Sequence, residues 1–166
     1  MTPFKHTGLE RGAALAQDIQ WLCNTKGFEP LAFKEDGPGN QYVKRLNELA
    51  ASDVPAFMCH YYNINFAHMA GGRMIGKTVS DRLLDGAELA FYQYEGDSQE
   101  LGGKVKDNIE AVAQTWSEQD RKRSVDQTRD AFSYSGAMLR CITQSCDCDC
   151  PRQEAGAEAR TQLAAA

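Results

Sequence analysis

The sequence predicts an all-α fold, one domain of five or six helices around a single core. Three observations carry this. Apolar residues recur three and four apart along nearly the whole chain. Capping residues and glycine stops punctuate those stripes. No segment alternates apolar and polar residues with the period of two that a strand needs. At 166 residues the chain is long enough to bury one core of ordinary size.

The elements follow in order. Thr7-Gly8-Leu9-Glu10 reads as a capping box that opens the first helix. Its apolar stripe is Leu9, Ala13, Ala16, Ile19 and Cys23, and Gly27 stops it. Gly37-Pro38-Gly39 marks a loop, and Tyr42, Leu46, Leu49 and Ala50 stripe a shorter second helix. Asp53 is an N-cap, and Pro55 sits in the first turn, where its missing N–H costs least. The third helix then runs to about Leu84 and is apolar on most sides, so it is buried. Asp85-Gly86 ends it, residues 88–92 form a short helix, and residues 94–103 a loop with three glycines. Leu101, Val105, Ile109, Val112 and Trp116 stripe the next helix. Ser117 caps the last, whose stripe is Val125, Thr128, Phe132, Ser135, Leu139 and Ile142. The helical domain therefore spans residues 1–144, and residues 145–166 are a flexible Cys/Asp- and Ala-rich tail.

Composition removes several function classes. A net charge of -5 argues against nucleic acid as the main partner. No apolar run reaches the roughly 18 residues of a membrane span, and residues 1–11 lack the apolar core of a signal peptide. Phosphate-loop, nucleophile-elbow and dinucleotide fingerprints are missing from the sequence. Cys23, Cys59 and Cys141 fall on helical segments as core residues, which fits a reducing compartment. Cys146, Cys148 and Cys150 alternate with aspartates, which is not the spacing of a zinc site, and they read as part of a solvated tail.

The residues that invite chemistry lie in the third helix. Gly71 and Gly72 each cost about 1 kcal/mol relative to alanine inside a helix. Two readings account for such a pair: a flat ligand approaches the bare backbone, or another helix packs closely there. His68, Gly71, Gly72 and Ile75 share one face, which sets a polar ring one turn from that bare patch. His60 lies eight residues before His68, about 12 Å along the axis, so the two do not ligate one ion. Asn63 and Asn65 are polar within an apolar run and need partners, through water or otherwise.

Residues 59–76, CHYYNINFAHMAGGRMIG, closely resemble the distal helix of plant-type haem oxygenases. Residues 4–11, FKHTGLER, and 132–136, FSYSG, resemble other segments of the same family, and the likeness runs in order over residues 4–142. The resemblance implies an all-α fold with haem between a proximal and a distal helix. Haem is then substrate and cofactor, and it is cleaved with O2 to biliverdin, CO and ferrous iron. Electrons come from reduced ferredoxin in the chloroplast, and the protein acts as a monomer. On this reading Gly71 and Gly72 lie over the haem and leave room for O2. His68 holds a water network on that side, Tyr62 and Lys106 face the propionates, and Phe132 lines the pocket. Lys106 stands where the family usually has arginine, which keeps the charge and loses the bidentate fork. Docking an acidic ferredoxin calls for a local basic patch, with Lys44, Arg45, Arg73, Lys77, Lys104 and Lys106 as candidates.

One departure qualifies this. The family's proximal histidine lies upstream of the segment that residues 4–11 resemble, and no position here matches it; His6 aligns elsewhere. The expectation is therefore no metal ligand, an N-terminally truncated domain, and apolar surface left open where a proximal helix would pack. A non-catalytic, tetrapyrrole-related regulatory protein of the same fold is the alternative function.

Overall fold

The computed structural model describes residues 4–29 and 34–143. Its helices are α1 (Gly12–Lys26), α2 (Pro38–Ser52), α3 (Val54–Ala67), α4 (Arg73–Leu83), α5 (Ser98–Ala113), α6 (Glu118–Asp126) and α7 (Thr128–Thr143). A π-turn, His68–Gly72, joins α3 to α4 without a break in the rod, and a 3-10 turn, Ala90–Tyr92, lies between α4 and α5. With α3 and α4 counted as one rod, the described residues hold six helical rods and no strand. The expected tail, with Cys146, Cys148 and Cys150, lies outside the described residues.

Helix α3 is the centre. It packs against α2, α5, α6 and α7, which explains why its sequence is apolar on more than one face. Ala56, Met58 and His60 are buried on it, and they meet Tyr42 and Leu49 of α2, Val105 of α5 and Ala131 of α7 in the core. Asp53 caps α3 by accepting from the Ala56 N–H at 3.2 Å, as the sequence predicts. Asn63 and Asn65 solve their burial locally: each donates its side-chain amide to the carbonyl four residues back, Cys59 at 2.9 Å and Tyr61 at 2.8 Å. Ser117 and Asp120 form the reciprocal capping box that starts α6.

Several boundaries differ from expectation. The Thr7–Glu10 pairing forms, with the Glu10 carboxylate accepting from the Thr7 and Gly8 N–H groups at 2.9 Å each, but it locks a turn ahead of the helix. His6 and Gly8 adopt positive φ there, so the chain cannot yet be helical, and α1 starts at Gly12. Ala13, Ala16 and Ile19 of the expected stripe face solvent, while Asp18 is buried. Pro38 opens α2 rather than a loop, which suits its fixed φ and missing donor. Asp97 caps α5 one turn before Leu101, the first residue of the apolar stripe, so Gly102 and Gly103 are helical rather than loop and Trp116 lies beyond the end. The expected last helix is two, α6 and α7, broken at Gln127.

Helix α4 carries a wide exposed apolar face. Met74, Ile75 and Leu83 are 65–71% exposed, and Val79 joins Ile75 and Leu83 at spacings of four. That is the surface expected to be covered by another apolar body.

Candidate functional site

The site is built on the π-turn. The Arg73 N–H donates to the His68 carbonyl, five residues back instead of four, so the rod takes in one extra residue. The two glycines there do different things. A Cβ on Gly71 would meet nothing within 4 Å, so its backbone is bare and open. A Cβ on Gly72 would stand 3.0 Å from His68 Nδ1, so this glycine seats the imidazole. His68 and Phe91 meet at right angles, 5.4 Å between centroids and 88° between planes. His68 is exposed over part of its surface, and desolvation of the rest lowers its pKa from the ordinary 6.5. It is therefore a neutral imidazole at physiological pH, able to accept and to donate one proton.

Phe91 is placed by the 3-10 turn. The buried Asp18 carboxylate of α1 accepts from the Ala90 N–H at 2.7 Å and the Phe91 N–H at 2.8 Å. The neighbouring Tyr92 ring lies flush on Gly76, where any Cβ would overlap it. Arg11 closes the same region from below, donating to the Gly8 and Gln93 carbonyls and stacking 4.2 Å over Tyr94.

A second group gathers around Phe66. Tyr62 stacks on it at 4.5 Å, and Lys106 Nζ sits 4.8 Å over its face. Helix α5 approaches α3 closely enough that a Cβ on Gly102 would fall 2.6 Å from the Met69 Cε. The structure thus brings Tyr62 and Lys106 to one aromatic platform, and His68, Gly71 and Gly72 to one turn. It does not bring Phe132 to either: Phe132 is 61% exposed on α7 and makes no ring contact among the described residues. Of the six basic candidates, Arg45, Lys77 and Lys104 are each paired with an acid on their own helix, and Arg73 donates to Ser98.

His60 is unlike His68 in every respect. It is fully buried, with Nδ1 2.8 Å from the Tyr42 hydroxyl and Nε2 3.3 Å from Gln127 Oε1. Both nitrogens are engaged, so it is not a free ligand. Desolvation lowers its pKa and Arg45 adds to this, against the Gln127 bond and Asp130. Among the described residues no group of three or more His, Cys, Asp or Glu could hold a metal ion. A cleft of about 600 Å³ between α4 and residues 86–93 is lined by Met69, Ala70, Arg73, Lys77 and Tyr92 but not by His68, Gly71 or Gly72. It borders the π-turn at Met69 and Ala70.

Sequence reasoning missed Asp18, Phe91, Gly76 and Gly102. Asp18 had a signal: an acid four residues from both Ala14 and Leu22, on the face those residues share. Gly72, Gly76 and Ser80 form a row of small residues four apart, which marks a close neighbour.

Bare helical backbone thus lies beside a half-covered imidazole on the central rod of an all-α protein, with an aromatic platform on the same rod and a cation over that platform. The model of the family described as "Heme oxygenase" matches residues 1–141. The chain belongs to the haem oxygenase family. It is 42% identical over 139 residues to "Heme oxygenase 1, chloroplastic" of Arabidopsis thaliana, covering 84% of this chain and 48% of that protein. It is also 42% identical to the protein of the same name from Oryza sativa subsp. japonica, covering 47% of it. It is 36% identical to "Probable inactive heme oxygenase 2, chloroplastic" of Arabidopsis thaliana, covering 46% of that protein. The chain spans about half the length of these relatives.

Proposed function

We propose that this chain carries the distal side of a haem oxygenase site, and that the protein cleaves haem to biliverdin, CO and ferrous iron with electrons from ferredoxin in the chloroplast. The observation that carries the reading is the π-turn, where Gly71 presents open backbone and Gly72 seats His68 beside it. Haem, when bound, is both the substrate and the group that activates O2. The residues of the chain fit it. Gly71 admits a flat ring to backbone contact distance, since no Cβ holds it off. Ile75, one turn on and 65% exposed, extends that surface as an apolar floor.

Neutral His68 has one N–H and one lone pair, so it holds a water molecule in place and relays a proton to the oxygen side. Lys106 supplies a cation for a carboxylate, and Tyr62 a hydroxyl, from the same platform on Phe66. The protein works as a monomer. Arg73, with Lys106, contributes to the face that meets an acidic electron donor; the acid partners of Arg45, Lys77 and Lys104 reduce their share.

The 36% identity to a relative named as probably inactive favours a second reading, a non-catalytic tetrapyrrole-binding regulator. One titration separates the two. The 166-residue chain is titrated with haemin and then given ferredoxin, its reductase and NADPH. The catalytic reading expects a Soret band that decays as biliverdin absorbance rises. A band that persists under reduction supports the regulator, and no band at stoichiometric haemin overturns catalysis by the 166-residue chain itself.

A further inference from the structure

We propose that Asp18 is a positioning residue for His68, acting through the Ala90–Tyr92 turn and the ring of Phe91. The inference deepens the haem oxygenase reading and rests on the role given to His68 there. Asp18 is 7% exposed in the middle of α1, and its two oxygens each accept one backbone N–H, from Ala90 and from Phe91. A buried carboxylate is costly unless it is hydrogen-bonded, and among the described residues no cation pairs with it. The two N–H groups are its compensation.

The dependence is mutual. A three-residue 3-10 turn does not hold itself, and its leading N–H groups have no partner inside the turn. The carboxylate supplies that partner from an element 72 and 73 residues away in sequence. Helix α1 makes its main packing contact with this turn, while its Leu15 and Ile19 remain 46% exposed. The Asp18 contact is thus the specific part of the docking, and the apolar part is incomplete. Once fixed, the turn aims two rings at the α4 rod: Phe91 at right angles to His68, and Tyr92 onto Gly76. The imidazole is held between Phe91 on one side and Gly72 on the other. An otherwise exposed histidine would sample its rotamers freely, and a group that must hold one water needs a single orientation.

The test is NMR on the isotope-labelled 166-residue chain without haem. Asp18→Asn keeps the shape but turns one acceptor into a donor facing an N–H. The expected result is that the His68 ring resonances move toward those of a solvent-exposed imidazole. Phe91→Leu, which leaves the carboxylate bonds intact, moves them in the same direction. Leu15→Ala, a loss of α1 surface alone, leaves them in place. Unchanged His68 resonances in a folded Asp18→Asn chain overturn the proposal. If Asp18→Asn does not fold, two requirements remain: Phe91→Leu still shifts His68, and the Ala90 and Phe91 amides of the unaltered chain resist hydrogen exchange. Failure of either overturns it. These readouts involve no haem, so they stand apart from a failure of the functional reading. In a protein that turns haem over, Asp18→Asn lowers kcat by up to ~10²-fold and leaves KM for haem unchanged.

Discussion

His60 and His68 lie on one helical rod and are held in opposite ways. His60 is sealed, and each ring nitrogen has a protein partner. The partners also assign its tautomer. Tyr42 is buried, and its O–H has no other acceptor among its described contacts, so it donates to Nδ1 and leaves Nε2–H to donate to Gln127. His68 is fixed on two sides, by Gly72 and Phe91, and open on the rest. A histidine with both nitrogens committed specifies structure. A histidine held in orientation with a nitrogen to spare is available for chemistry.

The comparison is broken most severely by His60→Leu. It leaves the Tyr42 hydroxyl buried without its partner and the partly exposed Gln127 amide without the His60 bond, and destabilisation of about 2–5 kcal/mol is expected from urea unfolding. His68→Ala should do the reverse: stability within about 0.5 kcal/mol of the unaltered chain, and haem turnover reduced by ~10² in a biliverdin assay. Gly76→Ala must displace Tyr92 and costs about 1–3 kcal/mol of stability by overpacking.

The pH dependence is smaller and has a definite sign. Both histidines have folded pKa values below the ordinary 6.5. As pH falls through 6.5 the unfolded chain takes up protons that the folded chain refuses, so stability drops until the folded values are reached. Denaturation midpoints measured across this range should fall with decreasing pH, and His60→Gln should flatten that slope. Gly71→Ala sharpens the comparison at the lowest energy: with nothing to strike, it raises stability by about 0.5–1 kcal/mol and weakens haemin binding in the same titration.

Much of this was readable from the chain. Helix content, the Asp53 and Ser117 caps, the Gly27 stop and the burial of α3 follow from periodicity and capping chemistry, which are local; burial as far as Leu84 does not hold, because Met74, Ile75, Val79 and Leu83 of α4 face outward. The pairing of His68 with the glycines follows from spacing on one face. What escaped depends on partners distant in sequence. The buried face of α1 is set by a turn 72 residues later, so the local stripe pointed the wrong way. Gln127 breaks the last helix while its side chain bonds His60, 67 residues earlier. Gly102 looked like loop because glycine usually is; it lies inside a helix capped by Asp97, and it is glycine there because Met69 and Phe66 leave no room for a side chain.

The π-turn also acts as a phase shifter for the whole rod. In an uninterrupted α-helix, the 16 residues from His60 to Gly76 would set these two buried positions about 160° apart around the axis. The extra residue absorbed at His68–Gly72 takes back roughly 100° of that, turning Gly76, Ser80 and Leu84 toward the side on which His60 is buried. The π-type hydrogen bonding at His68–Gly72 thus decides which side of α4 meets the protein and which side, Ile75 to Leu83, is left facing outward. The hydrogen-bond pattern of the rod, and not only its composition, is under constraint: straightening the turn into regular α-helix with every residue kept would rotate each side chain after it by about 100°, whereas removing one residue at the turn would leave the downstream phase unchanged.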